Sequence, residues 1–444
     1  MTSPNNNIIP QTYKMTDNTS AGVGVQNFEP RPPRPRLPQQ QNFEPRLPED
    51  WKVVKFDSCI NKQNSKEEKI KKQEYKIYGR YPVIDQGQDL IAGYWDNEKD
   101  VYKKNLPVII FGDHTRIIKY IDFPFVTGAD GTKILVPNTS VVFPRFFYYS
   151  LLNLKIPSRG YNRHYSLLRE SKIPLPPLPE QQKIAAVLSA VQEAKEKTEA
   201  VIAATKALKK SMMKHLFTYG PVSPQEAENV PLKETEIGKV PENWELISSN
   251  KVFSYITDGT HDTPEKLTNG IPLIKSKQIK NGKINKNEID YFISKKDYEI
   301  INKRSKVDKY DILFSMIGTI GETALIIEVP DFAIKNVGLF KTNGNYELAI
   351  YTFYWLQTAN AKNYIDKNTS GTSQKYIKLV KLRNYPILFP PLPIQQKIAS
   401  ILSAIDEKIE AEENKKKALE DLFKSLLHNL MTAKIRVNQL EITS

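Results

Sequence analysis

The sequence has one cysteine, Cys59, among its 444 residues. A single thiol excludes an intrachain disulfide framework and a cysteine-based zinc cluster, and it fits a reducing compartment. No apolar run approaches the ~20 residues that a membrane-spanning helix needs. The opening Met1–Asn5 has no basic start followed by an apolar core, so a signal peptide is not expected. We therefore predict a cytoplasmic protein without a membrane partner.

Signatures of catalysis are missing as well. The sequence contains no Walker A loop, no glycine-rich nucleotide fingerprint and no Asp/Asn-Pro-Pro-Tyr/Phe tetrapeptide of the methyltransferase kind. The histidines show no metal-ligand spacing; they are His114, His164, His215, His261 and His428. We therefore predict a non-catalytic chain with no metal and no cofactor of its own.

Positive charge is abundant. The net charge is +14, and Lys and Arg exceed Asp and Glu both in residues 48–175 and in residues 236–389. A basic excess spread over the chain favours a polyanionic partner such as a nucleic acid. A generic basic surface is the alternative.

The main organising feature is a duplication. Pro176–Ala185 (PPLPEQQKIA) returns as Pro390–Ala399 (PPLPIQQKIA), 214 residues later, and the match continues without gaps to Thr218 and Thr432. A second pair of matching segments, Pro48–Trp51 and Pro241–Trp244, opens the region before each proline run. A segment repeated once at this distance indicates two tandem copies of one unit, a globular part followed by a helix.

Each proline run is predicted to begin a long helix. Pro179 suits a first helical turn because the N–H that it lacks has no partner there. Spacings of four and three residues then indicate a coiled-coil seam formed by Val187, Val191, Ala194, Thr198, Val201, Thr205, Leu208 and Met212. The second copy has matching positions at Ile401, Ile405, Leu419, Leu422 and Leu426, with Lys408, Glu412 and Lys415 as a polar interruption that Ile409 partly bridges.

Two seams of about 38 residues in one chain, roughly 57 Å each, most economically bury each other. We therefore predict an α+β fold in which two pseudo-two-fold-related α/β domains are separated by an antiparallel coiled coil of two long helices. A coiled coil that serves oligomerisation is the alternative.

The composition predicts boundaries for these parts. Residues 1–45 are rich in Asn, Gln, Pro and Arg and are predicted to be disordered. The aromatic-rich segments Phe143–Leu154 and Leu348–Leu356 are predicted to be buried helices. The predicted parts are a disordered tail (1–45), a first domain (46–175), a first central helix (176–219), a linker (220–235), a second domain (236–389), a second central helix (390–434) and a C-terminal tail (435–444).

A polar loop is repeated just before each proline run. Ser158–Tyr165 matches Thr369–Tyr376 position by position, with Ser/Thr, Gly, Asn/Ser, His/Lys and Tyr in shared places. Arg and Gln can read base edges through paired hydrogen bonds, and Lys and His can meet phosphates, so we interpret this loop as DNA-binding. An ordinary surface turn is the alternative.

Further polar turns provide additional candidates; they are Asp85–Gln88, Phe111–Arg116, Asp258–Pro264 and Ser315–Gly321. The predicted DNA-binding residues are His114, Arg116, Arg159, Tyr161, Asn162, Arg163, His164, Thr260, His261, Ser370, Thr372, Gln374 and Lys375.

On these residues the chain resembles the specificity subunit of a type I restriction–modification system. The resemblance is carried by the proline-glutamine run before each long helix and by the Pro-Glu-Asp/Asn-Trp opening of each half. The runs Phe111–Arg116, Asp258–Pro264 and Ser370–Ile377 add to it. Each motif alone is modest, but their order and their duplication are specific.

The resemblance implies two target recognition domains, each reading one half of a split, asymmetric site in double-stranded DNA. It implies that the helices set the unread spacer and dock two methyltransferase subunits, with two restriction subunits as a further option. S-adenosylmethionine, ATP and magnesium would belong to those partners, which would supply adenine methylation and ATP-dependent cleavage.

Two other functions stay open at this point. A coiled-coil adaptor that binds proteins through its globular ends would show no sequence-dependent DNA affinity and little dependence on salt. A recognition module of a single-chain enzyme that methylates and cuts DNA would need catalytic motifs in the same chain.

Overall fold

The structure is a computed structural model that describes residues 47–61, 69–128, 130–158, 160, 162–371 and 375–437. The predicted disordered tail, residues 1–45, lies outside these residues. The chain divides into a unit of residues 1–47 and a unit of residues 48–444, and all the elements below belong to the second unit. No helix in the described ranges is both long enough and apolar enough to cross a membrane.

The first domain combines short strands with short helices. Its strands are β1 (Lys52–Lys55), β2 (Tyr81–Ile84), β3 (Gly93–Trp95), β4 (Val101–Tyr102), β5 (Val108–Gly112), β6 (Ile118–Ile121), β7 (Phe125–Thr127), β8 (Thr132–Leu135) and β9 (Lys172–Leu175). Its helices are α1 (Pro144–Asn153) and α2 (Tyr165–Arg169). The strands form sheets of order β3-β2-β7-β4 and β6-β5-β8. The fully buried β5 is central in the second of these sheets, and α1 confirms the predicted aromatic-rich helix.

A long helix, α3 (Leu178–Tyr219), follows the first domain. The second domain then contains the strands β10 (Leu232–Thr235), β11 (Gly238–Pro241), β12 (Glu245–Ser248), β13 (Tyr255–Asp258), β14 (Ile271–Lys275), β15 (Ile279–Lys280), β16 (Lys283–Ile284), β17 (Phe292–Ile293), β18 (Ile312–Ser315), β19 (Thr323–Leu325), β20 (Ala333–Lys335), β21 (Val337–Lys341) and β22 (Pro386–Phe389). The helices that accompany them are α4 (Pro224–Ala227), α5 (Ser249–Val252), α6 (Lys295–Ser305), α7 (Tyr346–Leu356), α8 (Ala359–Asn368) and α9 (Leu379–Arg383). A second long helix, α10 (Leu392–Met431), completes the described elements.

The two domains are closed in the same way. In the first, the opening strand β1 pairs antiparallel with the last strand β9, and in the second β12 pairs antiparallel with β22. The central three-strand arrangement is also shared, since β5 lies between β6 and β8 and β18 lies between β19 and β21. Because the strand that follows the Pro-Glu-Asp/Asn-Trp motif pairs with the last strand of each domain, the chain enters and leaves this part of the domain at one point, beside the start of a long helix.

The long helices pack against each other in opposite directions. Lys209 on α3 contacts Asp406 on α10 at 2.7 Å, and Glu199, earlier on α3, contacts Lys416, later on α10, at 2.9 Å. Residue numbers therefore rise along one helix as they fall along the other. The predicted antiparallel helix pair is confirmed.

The predicted seam of α3 is right at six of its eight positions. Thr198 is buried, and the half-buried positions are Val187, Val191, Ala194, Thr205 and Met212. The other two, Val201 and Leu208, are 40% and 52% exposed, whereas the neighbouring positions Leu188 and Ile202 are buried. Two adjacent stripes of α3 satisfy the same four-three spacing, and the position of α10 and the domain helices decides which one is covered.

The polar interruption of α10 is part of the seam. Ile409 and Glu412 are buried, whereas Leu422 is 45% exposed. The buried carboxylate of Glu412 is held by Lys408 at 2.6 Å and lies 3.7 Å from Lys415. The buried carboxylate is thus compensated by an ion pair within the same helix. The buried Ile409 continues the apolar stripe of α10 past the polar residues, as predicted.

Each long helix ends on the domain of the other half. Leu216 and Phe217, at the end of α3, join the core of the second domain, where Phe217 contacts Tyr351 and Trp355. Near the end of α10, Phe423 contacts Tyr149 of α1 in the first domain. Each long helix therefore begins beside its own domain and ends against the domain of the other half.

Two predicted non-globular stretches differ in the structure. The segment 220–235 contains α4 and β10, and β10 pairs with β11, so the predicted linker is partly built into the second domain. Residues 435–437 of the predicted C-terminal tail are ordered against the first domain, where Val437 is buried and Arg436 forms ion pairs. The linker is built in by a local hairpin, in which Thr235 pairs with Gly238. The tail is held by partners that are distant in sequence, Asp50 and Glu180.

Candidate nucleic-acid interface

In the first domain, Gln86 joins three polar loops. Its side-chain Nε2 donates to the Asp130 carbonyl oxygen at 2.9 Å, and its Oε1 accepts from the backbone N–H of His114 at 3.1 Å. The Thr115 hydroxyl donates to the Gln86 carbonyl oxygen at 2.6 Å. The loop after β2, the turn after β5 and the turn before β8 are therefore held as one surface.

A buried lysine fixes the loop after β2 from below. Lys119 on β6 donates through Nζ to the carbonyl oxygens of Asp85 at 2.8 Å and Asp89 at 2.5 Å. Burial lowers the pKa of the Lys119 ammonium. A charged group is retained here because backbone carbonyls and a nearby carboxylate compensate for lost hydration. Lys119 was not predicted, since one lysine in a strand gives no signal in the sequence.

The repeated loop is attached to the turn after β5 through Asp113. The Asp113 side chain accepts from the backbone N–H groups of His164 at 2.9 Å and Tyr165 at 2.7 Å. The His164 ring is fully buried, and its Nδ1 lies 3.0 Å from the Asp113 carbonyl oxygen. The prediction of His164 as a DNA-binding side chain is therefore corrected, because a buried imidazole that packs between two loops cannot reach a ligand on the surface.

Other predicted residues of the first domain face outward. Arg163 is exposed and lies 3.8 Å from Asp130, and Asn162 is exposed beside it. Arg116 is exposed, has a positive φ of 62° and donates through Nη1 to the Ile156 carbonyl oxygen at 2.9 Å. His114 is half-buried. Arg159 and Tyr161 lie outside the described residues.

Two lysines that were not predicted complete this surface. Lys69 donates through Nζ to the Thr132 carbonyl oxygen at 2.9 Å, and Lys133 lies 3.9 Å from Asp113. Partial burial and then the charge of Lys133 lower the pKa of the Lys69 ammonium. The neighbouring charge of Lys133 thus disfavours protonation of Lys69, and the negative charge of a phosphate would offset that repulsion.

In the second domain, a buried carboxylate organises the turn after β13. Asp258 accepts from Arg304 of α6 at 2.9 Å and lies 3.0 Å from Nε2 of the exposed His261. Nδ1 of His261 lies 2.8 Å from the Asn336 side-chain oxygen. The Thr260 hydroxyl accepts from the Asp262 backbone N–H at 3.1 Å, which shapes the turn itself. The predicted residues Thr260 and His261 therefore lie together at the surface.

This turn is connected to the repeated loop of the second domain. The Ser276 hydroxyl donates to the Asn336 carbonyl oxygen at 3.0 Å and accepts from the Met316 N–H at 3.2 Å. Met316 belongs to the polar turn Ser315–Gly321. In the same turn, the Gly318 backbone N–H donates to the carbonyl oxygen of Lys375, in the repeated loop, at 3.1 Å. Ser370 and Lys375 are exposed, whereas Thr372 and Gln374 lie outside the described residues.

Lysines again surround the second site. Lys335 donates through Nζ to the carbonyl oxygens of His261 at 3.1 Å and Asp262 at 2.6 Å. Lys275 lies over the Tyr291 ring at 3.9 Å, and burial, with Lys277 and Lys335 nearby, lowers the pKa of its ammonium. Arg304, Lys275 and Lys335 were not predicted, because nothing in their local sequence distinguishes them from other surface cations.

Both sites are rigidly held polar loops with exposed donors and cations. Among the described residues, no group of His, Cys, Asp and Glu side chains could hold a metal ion. Outward-facing Arg, Lys, His and Asn side chains can contact phosphates and base edges. The geometry suits recognition of an extended polyanion.

Two polar recognition surfaces on equivalent domains, joined by an antiparallel helix pair, define a two-domain recognition protein. The chain belongs to the family described as the type I restriction modification DNA specificity domain, which matches residues 48–204 and 241–421. The predicted resemblance is confirmed. Membership of this family does not favour the alternative of a protein-binding adaptor.

Individual relatives agree with this assignment. The chain is 26% identical over 426 residues to the type I restriction enzyme MjaVIII specificity subunit of Methanocaldococcus jannaschii, covering 90% of this chain and 98% of the relative. It is 29% identical to the putative type I restriction enzyme MjaX specificity subunit of the same organism, covering 88% and 95%. The fold is similar to the crystal structure of a type I restriction–modification S subunit from M. genitalium, with a TM-score of 0.58, 17% identity and coverage of 89% and 98%.

Proposed function

We propose that this chain is the DNA-recognition specificity subunit of a type I restriction–modification complex and that each domain reads one half of a bipartite target. The observation that carries the proposal is the equivalence of the two domains. In each, the strand after the Pro-Glu-Asp/Asn-Trp motif pairs with the last strand, and each presents a different set of polar side chains. Two equivalent domains that expose different polar side chains suit a DNA target whose two halves differ in sequence.

The helix pair would set the unread spacer. α3 has 42 residues and α10 has 40, so each is about 60 Å long at 1.5 Å per residue. Half-sites on one face of DNA lie about 34 Å apart for each helical turn. Domains attached at the ends of such a rod can reach half-sites one turn apart when their loops face inward.

The remaining roles would belong to partners. We propose that the helix pair docks two methyltransferase subunits, which bind S-adenosylmethionine and methylate adenine. Two restriction subunits would add ATP- and magnesium-dependent translocation and cleavage. The specificity subunit itself would be non-catalytic, and action on chromosomal DNA would take place in the cytoplasm.

Methylation by a reconstituted complex tests this function. The chain is combined with its methyltransferase subunit and offered a library of bipartite targets with randomised half-sites. We expect methylation of one asymmetric target, and we expect Arg163→Ala to relax preference in one half-site and Gln374→Ala in the other. Lys424→Ala, on the exposed surface of α10, is the control and should leave both preferences intact. Equal methylation of all targets by the unmodified complex would contradict the proposed function.

A further inference from the structure

The residues after α10 return to the first domain. Thr432 caps the helix by donating through its hydroxyl to the His428 carbonyl oxygen at 2.7 Å. Ala433 has a φ of 53°, which reverses the chain, and the Ile435 N–H donates back to the Asn429 carbonyl oxygen at 3.3 Å. This turn directs Arg436 toward the opening segment of the first domain and the head of α3.

Arg436 makes two bidentate ion pairs. Its Nε and Nη2 donate to the two carboxylate oxygens of Glu180, both at 2.7 Å. Its Nη1 and Nη2 donate to the two oxygens of Asp50, at 3.0 and 2.7 Å. Nε1 of Trp51 also donates to Glu180 at 3.2 Å. We call Asp50, Trp51, Glu180 and Arg436 the C-terminal clasp.

The clasp joins three elements that are distant in the sequence. Asp50 and Trp51 open the first domain, Glu180 lies in the first turn of α3, and Arg436 follows α10. A planar guanidinium holding two carboxylates fixes distance and orientation at once, whereas a lysine would act as a point charge. The Arg436 side chain is 25% exposed and that of Glu180 is 13% exposed, so water screens this pair less than it screens a surface pair.

Among the described residues of the second half, the corresponding positions form no such clasp. The positions that correspond to Asp50, Glu180 and Arg436 are Asn243, Ile394 and Val222. There, Ile394 packs against the apolar core, and Gly220 lies against the ring of Trp244. At this corner the second domain therefore meets its long helix through apolar packing, and its polar contacts with α10, such as the ion pair of Lys283 with Glu410 at 2.9 Å, lie elsewhere.

We infer that Arg436 is a positioning residue that sets the orientation of the first domain on the helix pair, and thereby the spacing between the two DNA half-sites. This inference rests on the proposed function where it concerns DNA. The clasp itself can be tested without DNA.

The first test is amide hydrogen exchange on the isolated full-length chain. In Arg436→Met, we expect the amides of residues 51–55 to exchange about tenfold faster, the effect of losing charge-assisted hydrogen bonds. The amides of residues 244–248 should be unchanged. Lys434→Met, which removes an exposed cation from the same segment, is the control. Equal exchange in Arg436→Met and the unmodified protein would overturn the clasp.

The second test is methylation of targets whose spacer is lengthened or shortened by one base pair. The unmodified complex should prefer one spacer, and Arg436→Met should reduce that preference about tenfold, with Arg436→Lys between the two. An unchanged spacing profile in Arg436→Met would overturn the inference. Absence of any spacing preference in the unmodified complex would instead overturn the proposed function, and hydrogen exchange would still decide the clasp.

Discussion

Gln181 and Gln395, 214 residues apart, make the same hydrogen bond. Each buried side chain donates through Nε2 to the carbonyl oxygen of the proline five residues earlier, Gln181 to Pro176 at 2.9 Å and Gln395 to Pro390 at 2.7 Å. The bond ties the extended proline run to the first turn of the long helix. It thereby fixes the angle at which each domain meets the helix pair.

Gln181 should matter more than Gln395. Oε1 of Gln181 also accepts from the Phe143 backbone N–H at 2.8 Å, at the start of α1. Gln181→Leu should lower the free energy of unfolding by about 2–3 kcal/mol and Gln395→Leu by about 1–2 kcal/mol, because buried backbone groups lose partners. Urea unfolding followed by circular dichroism checks this. Gln182→Leu, at an exposed position, is the control, and an equal loss in all three variants would contradict the prediction.

The ion pair between the long helices near the second domain should stabilise their pairing. Asp406 accepts from Lys209 at 2.8 Å and from the Tyr354 hydroxyl at 2.9 Å. Asp406→Ala should cost about 1–2 kcal/mol, because two partners lose their acceptor. Glu413→Ala, which removes the exposed pair with Lys206, should cost less than about 0.5 kcal/mol. Thermal unfolding of both variants gives the comparison, and a larger loss in Glu413→Ala would show that burial does not govern these pairs.

Cys59 should report on opening of the first domain. The thiol is fully buried, and burial raises its pKa to about 12. At pH 8 the thiolate fraction should therefore be about a thousandfold lower than in the unfolded chain, and alkylation should slow by at least that factor. Iodoacetamide labelling with and without urea, followed by mass spectrometry, measures the ratio. Labelling at similar rates in both conditions would mean that the native domain exposes Cys59.

Alanine substitutions at one glycine in each domain should show which half-site each domain recognises. A Cβ on Gly112 would collide with Thr115 and Gln86, and a Cβ on Gly259 would collide with the backbone at Ile334 and Lys335. Each alanine variant should displace the recognition loops of its own domain only. We expect Gly112→Ala to weaken discrimination in one half-site and Gly259→Ala in the other, by about tenfold or more.

The methylation assay on bipartite targets measures both variants, and each serves as the control for the other. Loss of discrimination in the same half-site from both variants would contradict the division between domains. Circular dichroism of both variants should first show that the helix pair remains folded.

Much of the fold could be predicted because its causes are local or repeated. The proline runs and the four-three spacing predicted both long helices, and the duplication predicted an antiparallel pair. The buried stripe of α3 could not be fixed in the same way. Val201 and Ile202 are equally apolar, and only the placement of α10 and the domains buries Ile202 and exposes Val201.

The sequence predicted which loops form the candidate site better than it predicted which of their side chains are exposed. Arg163, His261 and Lys375 are exposed on predicted loops, whereas His164, from the same repeated loop, is turned inward by Asp113. Lys69 and Lys133 complete the first surface from other segments. Their proximity arises from strand pairing, which the local pattern does not encode.

The sequence by itself determined that the protein has two equivalent halves, where each long helix begins and which loops are shared, because proline geometry, periodicity and duplication are properties of the chain. Tertiary structure alone decided which helix stripe is buried, that His164 holds a loop, and that Arg436 reaches Asp50 and Glu180. Those outcomes depend on burial and on hydrogen-bond partners up to 386 residues apart. Only the folded chain brings such partners together.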